Sequence, residues 1–301
     1  MAEMMQGFDY IVVGAGSAGC ALAARLSEDP AVRVLVLEAG QRPRGWMRDM
    51  PAAIKQTMQR ADLDWGFKSE PEPGLNGRQL ALLRGKTVGG CSQINGMMYA
   101  RGHPADYDGW AALGNRGWSF RDLLPYFRRL EDSWAGDGPF HGAGGPLGVS
   151  RPRETALMMD RFRRATQAVG YPGSDDYHSD PVEGFTPIEL TVARGRRANT
   201  GSAYLAPVLS RPILTLLTGA HLARVVIERG RATGVEFIKD GQRQQVAAES
   251  EVILSGGTYG SAQMLMLSGV GPARSLAAAG VKIVHDAPEV GRNLVEHPMF
   301  Y

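Results

Sequence analysis

Short apolar runs, each stopped by glycine or a charged residue, recur along this chain. Phe8-Asp9-Tyr10-Ile11-Val12-Val13 ends at Gly14, and a bounded run of this length predicts a buried strand. Residues 20–26, Cys-Ala-Leu-Ala-Ala-Arg-Leu, form a good helix sequence. Residues 32–37 predict a second strand that ends at Glu38. Further on, 213–218 reads as a strand. Residues 222–228, 233–239 and 244–248 read as three strands of a β-meander, turning at Arg229-Gly230 and Asp240-Gly241. Residues 251–255 then run into Gly256-Gly257 and a helix, a second strand–glycine–helix passage. The prediction is an α/β chain with a doubly wound sheet and a meander.

Between these parts the pattern turns helical. Ser119 is placed to cap a helix, with Asp122 as the acid of a capping box. Leu123, Leu124, Phe127 and Leu130 follow at helical spacing, and Pro125 should kink that helix or end its first turn. A glycine- and proline-dense stretch at 136–148 marks a loop or boundary. Residues 155–169 predict an amphipathic helix from Thr155, with Leu157, Met158, Phe162, Ala165 and Val169 toward a core. Residues 171–200 are polar and loop-rich.

Gly14-Ala15-Gly16-Ser17-Ala18-Gly19 sits between the first strand and helix, with Glu38 19 residues past its last glycine at the end of the next strand. A GxGxxG in that setting is the dinucleotide-binding fingerprint. Gly14 serves the tight turn, Gly16 the approach of backbone to a pyrophosphate, and Gly19 the packing of helix on strand. The helix N-terminus offers N–H groups and partial positive charge to phosphates. Glu38 can accept hydrogen bonds from ribose hydroxyls and would repel a 2′-phosphate, which argues against NADP. The motif leaves FAD and NAD both open.

Composition narrows the class. Of 301 residues 44% are hydrophobic and the formal charge is +2, from 33 basic and 31 acidic residues. That excludes a disordered chain, and no basic run suggests a nucleic-acid partner. Two cysteines, Cys20 and Cys91, point to a reducing compartment rather than a disulfide framework. Residues 1–7 lack the apolar core of an export signal, and no stretch reaches the roughly 18 apolar residues of a membrane span. The expected location is cytoplasmic.

Residues 84–102, Arg-Gly-Lys-Thr-Val-Gly-Gly-Cys-Ser-Gln-Ile-Asn-Gly-Met-Met-Tyr-Ala-Arg-Gly, and 256–271, from Gly-Gly-Thr-Tyr-Gly-Ser-Ala-Gln to Gly-Val-Gly, carry a further signal. With the fingerprint, Trp65-Gly66-Phe67, Asp106-Tyr107-Asp108-Gly109-Trp110, Leu124-Pro125-Tyr126-Phe127 and Val290-Gly291-Arg292-Asn293-Leu294, the chain resembles the glucose-methanol-choline (GMC) flavin oxidoreductases over essentially its whole length. Two departures from the commonest pattern are small: Cys91 for serine, and Ala262 for proline or serine.

The resemblance implies a Rossmann-like FAD-binding sheet with a meander, in a domain formed by 1–150 and 210–301, and part of an α+β substrate domain at 151–209. It implies a cofactor site at Gly14, Gly16, Ser17, Ala18, Gly19, Glu38, Ala39, Val88, Gly90, Asn95, Gly96, Met97, Met98, Leu222 and Gly256, with the Leu222 backbone against the adenine. Members with a covalent flavin carry histidine at the position of Ile94, so non-covalent FAD is expected. The small residues Gly85, Gly89, Gly90, Ser92 and Gly96 would let backbone N–H groups lie against the flavin ring. The family removes an alcohol's hydroxyl proton with a histidine while hydride passes to flavin N5. Its catalytic histidine lies beyond the part that matches here, so no catalytic residue is assigned within the chain. The C-terminal half of the same enzyme is an expected partner, and the substrate is expected to be a small alcohol. The electron acceptor, oxygen, a quinone or a dye, depends on residues not present.

Other chemistries lack their motifs. There is no GxSxG elbow and no Walker A loop, since Leu80 stands five before Gly85-Lys86. The six histidines, His103, His141, His178, His221, His285 and His297, are scattered without HExxH or CxxC spacing, so no metal is expected. His297 is the one histidine considered as a base. An NAD-linked dehydrogenase and a non-catalytic nucleotide-binding remnant are the alternatives, the first opposed by the 85–96 loop and the meander.

Overall fold

In a computed structural model, which describes residues 5–152, 157–179 and 184–296, strands β1 (Met5–Val13) and β2 (Val34–Glu38) pair in parallel with Val12 opposite Val36. Helix α1 (Ser17–Leu26) connects them. Side chains alternate across the sheet as the strand period of two requires. Ile11, Val13, Leu35 and Leu37 enter one core cluster, while Val12, Val34 and Val36 enter another with Ala23 of α1 and Leu205. Both faces are covered, so β2 is buried throughout. This is why its sequence is a continuous apolar run.

The remaining strands are β3 (Leu214–Thr218), β4 (Ala220–Glu228), β5 (Arg231–Lys239) and β6 (Gln242–Leu254). The six-stranded sheet has the order β3-β2-β1-β6-β5-β4. β3, β2, β1 and β6 run parallel, and β5 and β4 return antiparallel as the meander. Arg229-Gly230 and Asp240-Gly241 make its turns, with φ values of 51° and 79°, and 52° and 76°. Positive φ at both central residues is the requirement of a type I′ hairpin.

One expectation is corrected here. The strands read separately at 244–248 and 251–255 are a single strand of 13 residues, β6. Its first half pairs with β5, and β1 pairs with it from Val246 opposite Met5 to Leu254 opposite Val13. Polar Glu249 and Ser250 look like a break in the pattern. β1 pairs on both sides of them, at Ala248 and Glu251, with a shift of register between, and both residues face outward.

Contacts divide the chain into two compact units. One comprises Met1–Gly45, Thr57–Ile94 and Thr200–Tyr301; the other comprises Trp46–Gln56 and Asn95–Asn199. The second unit has helices Pro104–Ala112, Phe120–Leu130 and Leu157–Ala168. Ser119 caps Phe120–Leu130 by accepting from the Asp122 N–H at 3.3 Å. The Asp122 carboxylate accepts from the Ser119 hydroxyl at 2.6 Å rather than from a backbone N–H, so the expected box is only half made. The helix runs unbroken through Pro125. At the centre of this unit Glu131 is fully buried and accepts from Arg101, Tyr99 and the Gly142 N–H. Burial alone would raise its pKa, but hydrogen bonds from His141 and Tyr99 and the Arg101 charge hold it down to about 2.

Helix Leu157–Ala168 departs from expectation more sharply. Thr155, its expected start, lies outside the described residues. Met158, Phe162 and Val169 are 68%, 59% and 73% exposed, and Ala165 is exposed too. Periodicity reveals which face of a helix is apolar, not what covers it; here Phe185 meets Phe162 at 5.5 Å, and the face stays largely exposed. Among the described residues no helix is long and apolar enough to cross a membrane.

Candidate cofactor site

A cavity of about 410 Å³ opens at the carboxyl ends of β1, β2 and β6, lined there by Val13, Leu37, Glu38 and Leu254. In open parallel sheets ligands bind in the crevice outside these ends. Gly14, Gly16, Ser17, Ala18, Glu38, Ala39, Gly90, Leu222 and Gly256, all expected from the sequence, line it together.

Two helices begin at its wall. α1 is N-capped by Gly16 without a side-chain hydrogen bond and has no acid in its first turn. The same holds for α2 (Gly257–Leu267), capped by Gly256. The first N–H groups of a helix have no partner inside it, so two positive helix ends face one space. They are drawn together because Ser255, which follows β6, donates its N–H to the Val13 carbonyl at 2.8 Å.

The three fingerprint glycines play different parts. Gly14 has φ +104°, and a Cβ there would lie 2.5 Å from the Ser255 carbonyl oxygen. A Cβ on Gly19 would lie 1.8 Å from the Gly14 carbonyl oxygen, so Gly19 is a packing residue. Around Gly16 the nearest atoms would be 3.8 and 3.9 Å away. At Gly16 the space that a side chain would take is the cavity itself.

Glu38 is buried, and its two oxygens accept from the Ala15 and Gly40 N–H groups, each at 2.8 Å. Burial raises its pKa, and those two hydrogen bonds and the charge of Lys86 work against the rise. The carboxylate therefore also shapes the loop that presents it. Each oxygen keeps a second lone pair for a ligand hydroxyl.

The 85–96 loop works differently from expectation. Gly89 donates its N–H to the Ala15 carbonyl at 2.7 Å and Gly90 to that of Thr87 at 2.8 Å, so neither donor is directed to a ring. What these glycines provide is closeness. A Cβ on Gly90 would lie 2.7 Å from Gly16 Cα, and one on Gly85 would lie 2.3 Å from the Gly90 carbonyl. Val88 is buried in the core with Val12 and Val36 and does not line the cavity. Ile94 is buried. Asn95, Gly96, Met97 and Met98 belong to the second unit. There Arg197 donates to the Asn95 carbonyl and side-chain oxygens at 2.8 and 3.0 Å. Met97 is held at φ +61°, a conformation that non-glycine residues adopt mainly where structure demands it. His297 lies outside the described residues. Of the cysteines, Cys20 is buried and its thiol is pushed up to about 11, chiefly by that burial, while Cys91 lines the cavity.

The sequence reading missed an aromatic wall. Trp65 stacks on Phe67 at 5.6 Å and meets the His221 ring edge-on at 5.4 Å. The Arg84 guanidinium lies 4.5 Å over the Tyr259 ring, and all five residues line the cavity. Desolvation, then the Lys86 charge, lowers the His221 pKa. Trp65-Gly66-Phe67 was legible only as a family match, because nothing local says which face of a ring meets a ligand.

Parallel strands, a glycine turn and paired helix ends at one crevice put the chain among the Rossmann-like FAD-binding folds. The sequence pattern of the GMC oxidoreductases matches residues 8–299. The chain belongs to the GMC oxidoreductase family. It is 46% identical over 293 residues to an oxygen-dependent choline dehydrogenase of Sinorhizobium fredii, covering 97% of this chain and 53% of that one. Among solved structures it superposes on pyridoxine 4-oxidase from Mesorbium loti with a TM-score of 0.90 at 37% identity, covering 94% and 56%. A fungal aryl-alcohol oxidase gives a TM-score of 0.82 at 27% identity, covering 95% and 52%. The chain spans about half the length of the curated relatives it matches.

Proposed function

We propose that this chain binds FAD non-covalently in the cavity and forms the cofactor-binding part of an enzyme that oxidises a small alcohol. The observation that carries this reading is the pair of uncapped helix N-termini opening on the same space as Glu38. The Ser17 and Ala18 N–H groups and the start of α2 would neutralise a pyrophosphate. Glu38 would take the ribose hydroxyls, and Leu222 with the Trp65 wall would flank the adenine. Bound FAD would supply the hydride acceptor. Ile94 offers no nitrogen to attach a flavin covalently, and its aliphatic side chain only packs.

Residues 1–150 and 210–301 are assigned to the cofactor and 151–209 to the substrate side. Function and compactness divide the chain differently on this assignment, since 46–56 and 95–150 pack in the second unit. The substrate class follows from relatives named for choline and aryl alcohols, each a CH–OH donor.

The purified protein should take up one FAD per chain, with neither NAD nor NADP displacing it. Acid precipitation should leave yellow flavin in the supernatant. Flavin retained in the pellet would overturn non-covalent binding, and retention of NAD in place of FAD would overturn the flavin reading.

Glu38→Ala should lower FAD affinity at least tenfold, about 1.4 kcal/mol, because charge-assisted hydrogen bonds to the ribose are lost. The apoprotein should also melt lower, since the Ala15 and Gly40 N–H groups lose their acceptor. A lower melting temperature with unchanged flavin titration would reduce Glu38 to a structural role.

A further inference from the structure

The second unit holds a cluster of titratable side chains for which flavin binding has no use. His141 Nε2 stands 3.0 Å from Asp176 Oδ1. One ligand-capable atom from each of His141, Asp176 and Glu189 lies within 4.8 Å of the other two. His178 stands beside these three, next to Glu189. Its Nε2 is 3.4 Å from Glu189 Oε2, the two side chains are 2% and 1% exposed, and neither atom makes a hydrogen bond. An imidazole nitrogen and a carboxylate oxygen buried in this way lose their hydration without replacement. A cation held between them would restore it.

We propose that His141, Asp176, His178 and Glu189 form a site for one divalent first-row transition ion, with Zn²⁺ the best match. Two imidazoles and two carboxylates are a nitrogen–oxygen donor set that suits such an ion better than Mg²⁺ or Ca²⁺, which prefer oxygen alone. Zinc bonds of about 2.0–2.2 Å in a tetrahedron separate the ligand atoms by about 3.3 Å. Two of the six ligand pairs, at 3.0 and 3.4 Å, bracket that spacing; the others would close onto the ion as it binds.

The surrounding groups are those that hold metal ligands in place. His141 Nδ1 lies 3.1 Å from Ser133 Oγ and 3.3 Å from Glu131 Oε1. Ligating histidines usually give their second nitrogen to such an acceptor, which orients the ring. Glu189 Oε1 accepts from Trp134 Nε1 at 2.8 Å, which leaves Oε2 turned toward His178. Asp176 Oδ1 accepts the His178 backbone N–H at 2.9 Å. The Asp176 side chain is 27% exposed and marks the way in. Coordination at His141 Nε2 takes the place of the proton it shares with Asp176, which leaves to solvent. Four protein ligands make a closed, structural site. The ion would tie the loop of His141, the turn at 176–178 and the strand Glu189–Leu190 together.

The test is a Co²⁺ titration of the metal-free full chain, followed by Zn²⁺. The expected result is a visible ligand-field spectrum of tetrahedral type, saturating at one ion per chain and erased by Zn²⁺, with Zn²⁺ raising the melting temperature. His178→Gln and Asp176→Asn should each weaken binding at least tenfold, with circular dichroism reporting that the variants fold. The proposal is overturned by wild-type protein that shows only an octahedral or unsaturable Co²⁺ spectrum, or by folded His178→Gln that binds as wild type does. If neither variant folds, the wild-type titration decides alone. The outcome is independent of the flavin reading, because no residue of this cluster lines the cofactor cavity.

Discussion

Anaerobic mixing of the FAD-loaded 301-residue chain with primary alcohols is expected to leave the flavin yellow, whereas protein extended to the length of its relatives should bleach it. Breaking the C–H bond requires that the hydroxyl proton be taken at the same time, and a positioned base contributes typically 10²–10⁴-fold. Holding the carbon against the acceptor contributes a comparable or larger factor. Among the described residues the only imidazole lining the cavity is His221. It packs edge-on against Trp65 beside Leu222, at the end assigned to the adenine. A histidine there can wall in a base but cannot reach the reacting carbon. The measurement is the rate of flavin bleaching in the two proteins. Comparable rates would place a base within residues 1–301, with His297 the first residue to substitute. Bleaching only by the longer protein would place the chemistry beyond this chain.

The second large effect is expected from two alanine substitutions three residues apart that should fail in opposite ways. Gly19→Ala puts a methyl group 1.8 Å from the Gly14 carbonyl oxygen, which is backbone and cannot rotate aside. Overpacking costs typically 1–3 kcal/mol, and with main chain as the obstacle the apoprotein should lose about 2 kcal/mol or more, with flavin binding falling in consequence. Gly16→Ala meets no atom closer than 3.8 Å, and its φ of −78° suits any residue. Its apoprotein should melt within a degree or two of wild type. FAD affinity should nevertheless drop at least tenfold, because the methyl group stands where the pyrophosphate would approach. Thermal melts of the apoproteins beside flavin titrations separate the two. Wild-type affinity in Gly16→Ala would mean that phosphate does not come to this turn.

Much of this protein was written locally. β1, α1 and β2 could be read from a bounded apolar run, a helix-forming run and a second apolar run, because a strand buried on both faces must be apolar throughout. The meander could be read because Arg229-Gly230 and Asp240-Gly241 demand left-handed backbone. Glu38 could be placed because one β–α–β unit fixes where the second strand ends relative to the glycine turn. In each case the determinant lies within about thirty residues of sequence, and the backbone has few ways to satisfy it.

What tertiary structure alone decided depends on partners distant in the chain. β6 continues past Glu249-Ser250 because β1 pairs with it on both sides of that point. Gly89 turns its N–H group to Ala15, which no loop composition reveals. Met158, Phe162 and Val169 make an apolar face by periodicity, yet whether it is buried rests on a covering surface that periodicity does not encode. His141, Asp176, His178 and Glu189 looked scattered because their spacing matches no short motif. They meet because the loop of His141, the turn at 176–178 and the strand at Glu189 fold together within the second unit. Short-range pattern determines which conformations a segment prefers; which side chains share a site is set by the sum of long-range contacts, and only the folded chain performs that sum.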